Sequence, residues 1–235
     1  MSHNTSTLER LAVPPPPSIR VPVAGSDVMF PVRRIYCVGR NYAAHIREMN
    51  GNERDPPFFF QKPTDAIVLS GTTIPYPFAT GDLQYEIELV LAVGSGGTNI
   101  RIDDAHRHVF GLAVGIDLTR RDLQTKARDS GRPWESGKSF DRSAPISPIH
   151  PLSGTVLPHS AAISLAVNGQ LKQQGNIAEM IWKCDEIVNQ LSTLYRLEPG
   201  DLIYTGTPAG VGAIVAGDTV EGRVEGVDTV TIKIA

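Results

Sequence analysis

Cysteine is scarce in this chain. Cys37 and Cys184 are the two among 235 residues, too few for a disulfide framework or the paired thiols of a zinc site. They fit a reducing cytoplasm, and a cytoplasmic protein is the expectation. Long apolar runs are missing as well. No stretch approaches the length that spans a bilayer, and the polar segment from Met1 to Leu11 carries no signal-peptide h-region. Concentrated positive charge is also lacking. The net charge is -3, and the basic residues gather no further than the pairs Arg33-Arg34 and Arg120-Arg121. Electrostatics therefore gives no case for a nucleic-acid or membrane partner. No internal repeat of useful length occurs. What is present is an apolar fraction of 41%, enough to build a core in one large β-rich domain or two small ones.

The most informative stretch is Tyr85-Glu86-Ile87-Glu88-Leu89-Val90-Leu91. Its aliphatic residues and flanking Gly81 and Gly94 read as a strand. Period 2 places Glu86 and Glu88 on one face and Ile87 and Leu89 on the other. Two neighbouring carboxylates in an apolar strand repel unless a positive charge sits between them. A hard cation such as Mg²⁺ or Mn²⁺ suits such oxygens. A half-exposed edge strand with its polar face in water is the alternative.

Around this strand the chain reads as short strands and turns, a β-rich α+β pattern and not alternating βαβ units. Pro14 to Pro17 favour an extended arm. Ile19 to Val23 and Val28 to Val32 form a candidate hairpin, and 1–31 is read as an arm before a single domain over 32–235. Arg34 to Val38 is an apolar strand, followed by Gly39-Arg40-Asn41-Tyr42-Ala43-Ala44-His45-Ile46-Arg47-Glu48. Asn41 fits the N-cap of a short helix. On that helix His45 and Glu48 are i and i+3 neighbours, the pairing of a general base with its orienting carboxylate, or of a surface His–Glu pair.

Phe58 to Phe60 reads as a buried strand leading to Gln61-Lys62-Pro63. Phe110 to Ile116 is an apolar strand that delivers Asp117 at its end. Thr119 and Asp122 match a capping box for a helix from about Arg120 to Asp129. On it Arg121 and Gln124 are i and i+3, within reach of Asp117. Lys138 lies between small residues, able to approach a site or to sit in solvent. Asn168-Gly169 is a hairpin turn signal. Cys184 to Arg196 is an amphipathic helix with Ile187, Val188, Leu191, Leu194 and Tyr195 on the core face. The loop Thr205-Gly206-Thr207-Pro208-Ala209-Gly210-Val211-Gly212 offers hydroxyls and backbone N–H groups to an anion. It is neither a Walker loop nor a dinucleotide fingerprint.

Five motifs occur in one order: Gly39-Arg40-Asn41-Tyr42-x-x-His45-x-x-Glu48, Glu86-x-Glu88, Asp117-x-Thr119-x-Arg121-Asp122-x-Gln124, Trp134 to Asp141 around Lys138, and Thr205-Gly206-Thr207-Pro208-x-Gly210-Val211-Gly212. Together they resemble the fumarylacetoacetate hydrolase family, from about Arg33 to Ala235. The resemblance implies a mixed β-sandwich roll of the type of that family's C-terminal domain, usually a homodimer. It implies Mg²⁺ or Mn²⁺ on Glu86, Glu88 and Asp117. His45 and Glu48 would be the base and its partner, and Lys138 and Gln124 would stabilise developing negative charge. Thr207, Gly206, Arg121 and Arg40 would contact substrate, Arg121 either at a substrate carboxylate or in support of Asp117, and Arg40, Arg47 and Arg54 are the candidate cations for the distal carboxylate. The implied reaction is hydrolysis of the C–C bond of an acylpyruvate, with fumarylpyruvate, cleaved to fumarate and pyruvate in gentisate breakdown, as the expected substrate. Decarboxylation of oxaloacetate and isomerisation or decarboxylation of 2-hydroxymuconate-type diacids are alternatives on the same site. A β-rich module holding a structural cation is the alternative of a different class.

Overall fold

The computed structural model describes residues 11–42, 56–152 and 156–235. Its centre is the strand Ile87–Val93, which is buried along its whole length. Alternation splits its side chains between two apolar clusters. Ile87, Leu89, Leu91 and Val93 enter the larger one, and Val90 and Ala92 enter the smaller. A strand buried on both faces must be interior to its sheet. Here Asp201–Tyr204 flanks it on one side and Val109–Ile116 on the other, both antiparallel. The half-exposed edge strand is thereby excluded.

These strands belong to an eight-stranded mixed sheet that runs from Phe58–Lys62 at one edge to Ile67–Leu69 at the other. Arg34–Gly39 pairs parallel with Asp201–Tyr204, and Ala144–Ile146 pairs parallel with Ile67–Leu69. A five-stranded sheet, in the order Gln170–Asn176, Ala162–Val167, Thr219–Val224, Asp228–Ile234, Thr72–Ile74, packs against it. Ile163, Leu165, Val220 and Ile232 from this sheet share the larger core with Leu89 and Leu91. The result is the β-rich sandwich roll expected from the sequence. The Ala162–Val167 and Gln170–Asn176 hairpin closes through Asn168 and Gly169, whose φ values of 50° and 75° are those of a type I′ turn.

Near the N-terminus, Arg20–Pro22 pairs with Met29–Pro31. Val21 and Phe30 from this pair are buried in the smaller cluster beside Ile35 and Cys37.

Three local readings need correction. Phe58–Lys62 is an edge strand, so Phe58 is exposed and Phe59 and Phe60 are only partly covered. The amphipathic helix is Cys184–Leu194, and Ile187, Val188 and Leu191 face the core. Leu194 is exposed, and Tyr195 is already extended, with its ring 5.1 Å from that of Tyr36. The capping box at Thr119 does not form. The helix is Arg121–Asp129 with no side-chain cap, because the Thr119 hydroxyl faces Glu86 and Lys138 instead.

Candidate active site

Glu86 sits where the chain leaves the short strand Leu83–Tyr85 and enters Ile87–Val93. Antiparallel register sets Ile87 opposite Ile116 and Glu88 opposite Gly115. The backbone N–H of Asp117 then donates to the Glu86 carbonyl at 2.8 Å. This register brings a residue at the end of one strand beside two at the start of its neighbour. Glu86, Glu88 and Asp117 are all buried, and each offers a carboxylate oxygen within 4.8 Å of the others. At that separation each charged pair repels by about 3 kcal/mol at an effective dielectric near 20.

Three cations answer the three acids. Lys138 Nζ lies 2.9 Å from Glu86 Oε2, 2.8 Å from Asp117 Oδ2 and 2.7 Å from Thr119 Oγ1. Lys62 Nζ lies 2.8 Å from Asp117 Oδ1 and donates to the carbonyls of Leu118 and Lys138. Arg121 pairs with Glu86 Oε1 through Nη2, reaches Gln84 Oε1 at 2.8 Å, and donates from Nη1 to Gln124 Oε1. Glu88 is anchored by the backbone N–H of Gly206, 2.7 Å from its Oε2.

Burial, reinforced by Asp117 and Glu86, holds the Glu88 carboxyl well above the usual carboxylate range. Burial pulls the Lys138 ammonium down, but Asp117 and Glu86 outweigh it and leave its pKa raised. In this charge-matched cluster Asp117 Oδ1 is still buried without a hydrogen-bond partner among the described residues. Lys62 is close enough to form an ion pair with it but not in hydrogen-bond geometry. With Asp117 Oδ1 unpartnered, the three carboxylates make an all-oxygen donor set that fits Mg²⁺ or Mn²⁺.

The cluster opens on a narrow cleft that is also lined by Arg40, Gln124, Trp134 and Thr207. The structure therefore brings together Glu86, Glu88, Asp117, Arg121, Gln124, Lys138, Thr207 and Arg40. His45, Glu48, Arg47 and Arg54 lie outside the described residues. Gly206 spends its N–H on Glu88 and not on the cleft. Arg121 reaches Glu86, not Asp117, because Glu86 Oε1 is the acid on its side of the cluster. Asn41 uses its amide to tie Thr205 and Trp182 together.

Two residues of this neighbourhood escaped the sequence reading. Lys62 ends an apolar strand, and a lone charge at that position is a weak signal. Gln173 lies among Gln170, Lys172 and Gln174 in a polar strand, with nothing to distinguish it from solvent-facing neighbours.

A family model for the fumarylacetoacetate (FAA) hydrolase C-terminal region matches residues 34–235. The chain belongs to the fumarylacetoacetate hydrolase family. Among family members, fumarylpyruvate hydrolase of Ralstonia sp is 50% identical over 177 residues, 75% of this chain and 92% of that protein. The crystal structure of fumarylpyruvate hydrolase from Pseudomonas aeruginosa in complex with Mn²⁺ and pyruvate matches with a TM-score of 0.93 at 49% identity. That match covers 96% of this chain and 99% of the other. The human mitochondrial oxaloacetate tautomerase is 37% identical over 202 residues, 86% of this chain and 91% of that protein.

Proposed function

We propose that this fumarylacetoacetate hydrolase family member is a metal-dependent hydrolase that cleaves fumarylpyruvate with water to fumarate and pyruvate. The observation that carries the reading is the buried Glu86–Glu88–Asp117 cluster, opening on a cleft beside Lys138, Gln124 and Thr207. The likeness to two fumarylpyruvate hydrolases supports the substrate. Glu86, Glu88 and Asp117 would hold Mg²⁺ or Mn²⁺, which would supply Lewis-acid chemistry to the acylpyruvate.

Charge agrees with an anionic substrate. Lys62, Lys138 and Arg121 match the three acids, so a bound divalent ion, with Arg40 beside it, would leave the cleft positive. Gln124 gives its Oε1 to Arg121, which leaves its NH₂ to donate into the cleft. That amide meets the oxygen of the attacked carbonyl as it becomes negative. Lys138 has all three N–H groups engaged, so its charge, and not a spare donor, stabilises the same oxygen. Arg121 keeps Glu86 and Gln124 in place. Thr207 receives the pyruvate-end carboxylate. His45, oriented by Glu48, takes the proton from the attacking water. The C–C bond then breaks with its electron pair on the pyruvate fragment, which is protonated there.

Arg40 lines the cleft beside Phe58 and Trp134, with its guanidinium carbon 5.9 Å from each ring centre. Its Nε is buried without a hydrogen-bond partner among the described residues. It is the cation for the distal carboxylate. The rest of the assignment follows the family: one catalytic domain over 32–235 after the 1–31 arm, acting as a homodimer in the cytoplasm. No helix among the described residues is long and apolar enough to cross a membrane.

The deciding measurement is loss of the enol absorbance of fumarylpyruvate with Mg²⁺ and then with EDTA. Equimolar, metal-dependent fumarate and pyruvate are expected. Inactivity on fumarylpyruvate with metal-dependent turnover of oxaloacetate would keep the site and replace the reaction.

A further inference from the structure

Gln173 is fully buried in a strand whose other side chains largely face water. Leu171, two residues earlier, is exposed. In a regular strand the two would share a face. The pairing shifts here: Leu165 lies opposite Gln173, and the next residue, Ala166, lies opposite Leu171. Lys172 is therefore an extra residue, and this bulge turns Gln173 inward.

Three contacts hold the buried amide. Its Oε1 accepts from the Ile87 backbone N–H at 3.0 Å. Its Nε2 donates to the Pro208 carbonyl at 2.9 Å and to Thr207 Oγ1 at 2.9 Å. The orientation has no alternative. A backbone N–H requires the oxygen end and a backbone carbonyl requires the nitrogen end. The second N–H of the amide is then committed to Thr207 Oγ1, which must accept. A hydroxyl that accepts from Gln173 keeps its own proton for another partner, and Gln173 is the only partner of Thr207 Oγ1 among the described residues. Thr207 lines the cleft beside Glu86 and Glu88.

We infer that Gln173 is a positioning residue: it fixes the Thr207 hydroxyl as a proton donor to the substrate carboxylate. Through Ile87 it also ties that donor to the peptide between Glu86 and Glu88, so the donor and the acids keep one spacing. The inference rests on the proposed place of Thr207 at the pyruvate end of the substrate.

The test compares wild type with Gln173→Met, Gln173→Glu, Thr207→Val and the double variant Gln173→Met/Thr207→Val. For each, the Kd of pyruvate is measured by calorimetry on Mn²⁺-loaded protein, with KM and kcat for fumarylpyruvate and the Tm. Gln173→Met removes both donors. Gln173→Glu offers at most one proton to two acceptors, and it serves if the Met variant does not fold. A lost hydrogen bond to a charged group weakens binding about tenfold or more. Each single variant should raise the pyruvate Kd and the KM by that factor, with Mn²⁺ affinity retained. The double variant should bind no more weakly than Thr207→Val alone. Additive losses in the double variant, or pyruvate binding unchanged in both Gln173 variants, would overturn the inference and leave the hydrolase reading standing. Failure of wild type to bind pyruvate or cleave fumarylpyruvate would overturn both.

Discussion

Gly206 holds Glu88 in place: its backbone N–H lies 2.7 Å from Glu88 Oε2. The donor is aimed there by a backbone with φ of 95°, in the region that favours glycine. A Cβ at this position would also lie 2.7 Å from Cβ of Asn41, the residue whose amide ties Thr205 to Trp182. Gly206→Ala therefore cannot keep both the loop and the hydrogen bond. The expected cost is about 1–3 kcal/mol of stability, with Mn²⁺ affinity reduced about tenfold by loss of one charge-assisted hydrogen bond. Thermal melts and Mn²⁺ titration of the variant check it. An unchanged Mn²⁺ affinity would show that the N–H does not orient the acid.

Protons and metal compete for the same acids. Burial, with Asp117 and Glu86 nearby, raises the Glu88 pKa in the metal-free fold. A carboxyl whose folded pKa exceeds its unfolded value contributes stability that is full below the unfolded pKa. That stability is lost as pH rises through the folded value. The metal-free protein should thus lose this contribution on going to higher pH, where Glu88 must ionise against its neighbours. Metal takes the ionised form and relieves that repulsion. The rise in Tm on adding Mn²⁺ should consequently grow between about pH 5 and about pH 8, a range above the ordinary carboxylate pKa. Melting curves with Mn²⁺ and with EDTA measure it, and a rise independent of pH would contradict it.

The acids themselves were legible in the sequence because their signals are local. An E-x-E pair has a fixed face in any strand, and Asp117 closes an uninterrupted apolar run. Lys138 and Thr207 became candidates through ordered motifs. Lys62 and Gln173 did not, because their roles depend on tertiary placement: a sheet neighbour for one, a bulge that inverts strand parity for the other. The capping box failed for a related reason. Thr119 has the right spacing for a cap, but a buried ammonium and a carboxylate take its hydroxyl. Likewise the aromatic run Phe58 to Phe60 reads as core by composition, and its place at the sheet edge is set by strand order.

Lys138 and His45 separate charge from proton transfer. Lys138→Met removes a buried cation without opening a cavity. It leaves Glu86 and Asp117 with less compensation, so Mn²⁺ binding should be no weaker than in wild type. Loss of one stabilising charge at a developing oxyanion typically costs a factor of about 10²–10³ in kcat. His45→Ala should abolish hydrolysis with Mn²⁺ binding nearly intact. Exchange of the pyruvate methyl protons with deuterium needs no attacking water and can be followed by NMR. It should survive better in His45→Ala than hydrolysis does. Unchanged turnover of fumarylpyruvate in either variant would remove that residue from the mechanism.

Arg40 offers the sharpest division among acylpyruvates. It has a left-handed backbone, φ 57°, which is uncommon for a side chain of this size. Its guanidinium carbon lies 5.9 Å from the ring centres of both Phe58 and Trp134, which meet edge to face at 5.0 Å. Cation–π contact at this distance restrains a guanidinium, whose planar fork can bond a carboxylate with two N–H groups. Lysine would keep the charge and lose the plane. Arg40→Lys should therefore retain part of the preference for a substrate with a distal carboxylate, and Arg40→Met should lose it. A charge-assisted hydrogen bond is worth about 1.5–3 kcal/mol, which places the rise in KM for fumarylpyruvate in Arg40→Met at about 10- to 100-fold. An acylpyruvate ending in a methyl group makes no such contact, and its KM should hardly move. Parallel KM measurements on the two substrates decide the matter: an equal rise for both would mean that Arg40 shapes the cleft and does not read the distal carboxylate.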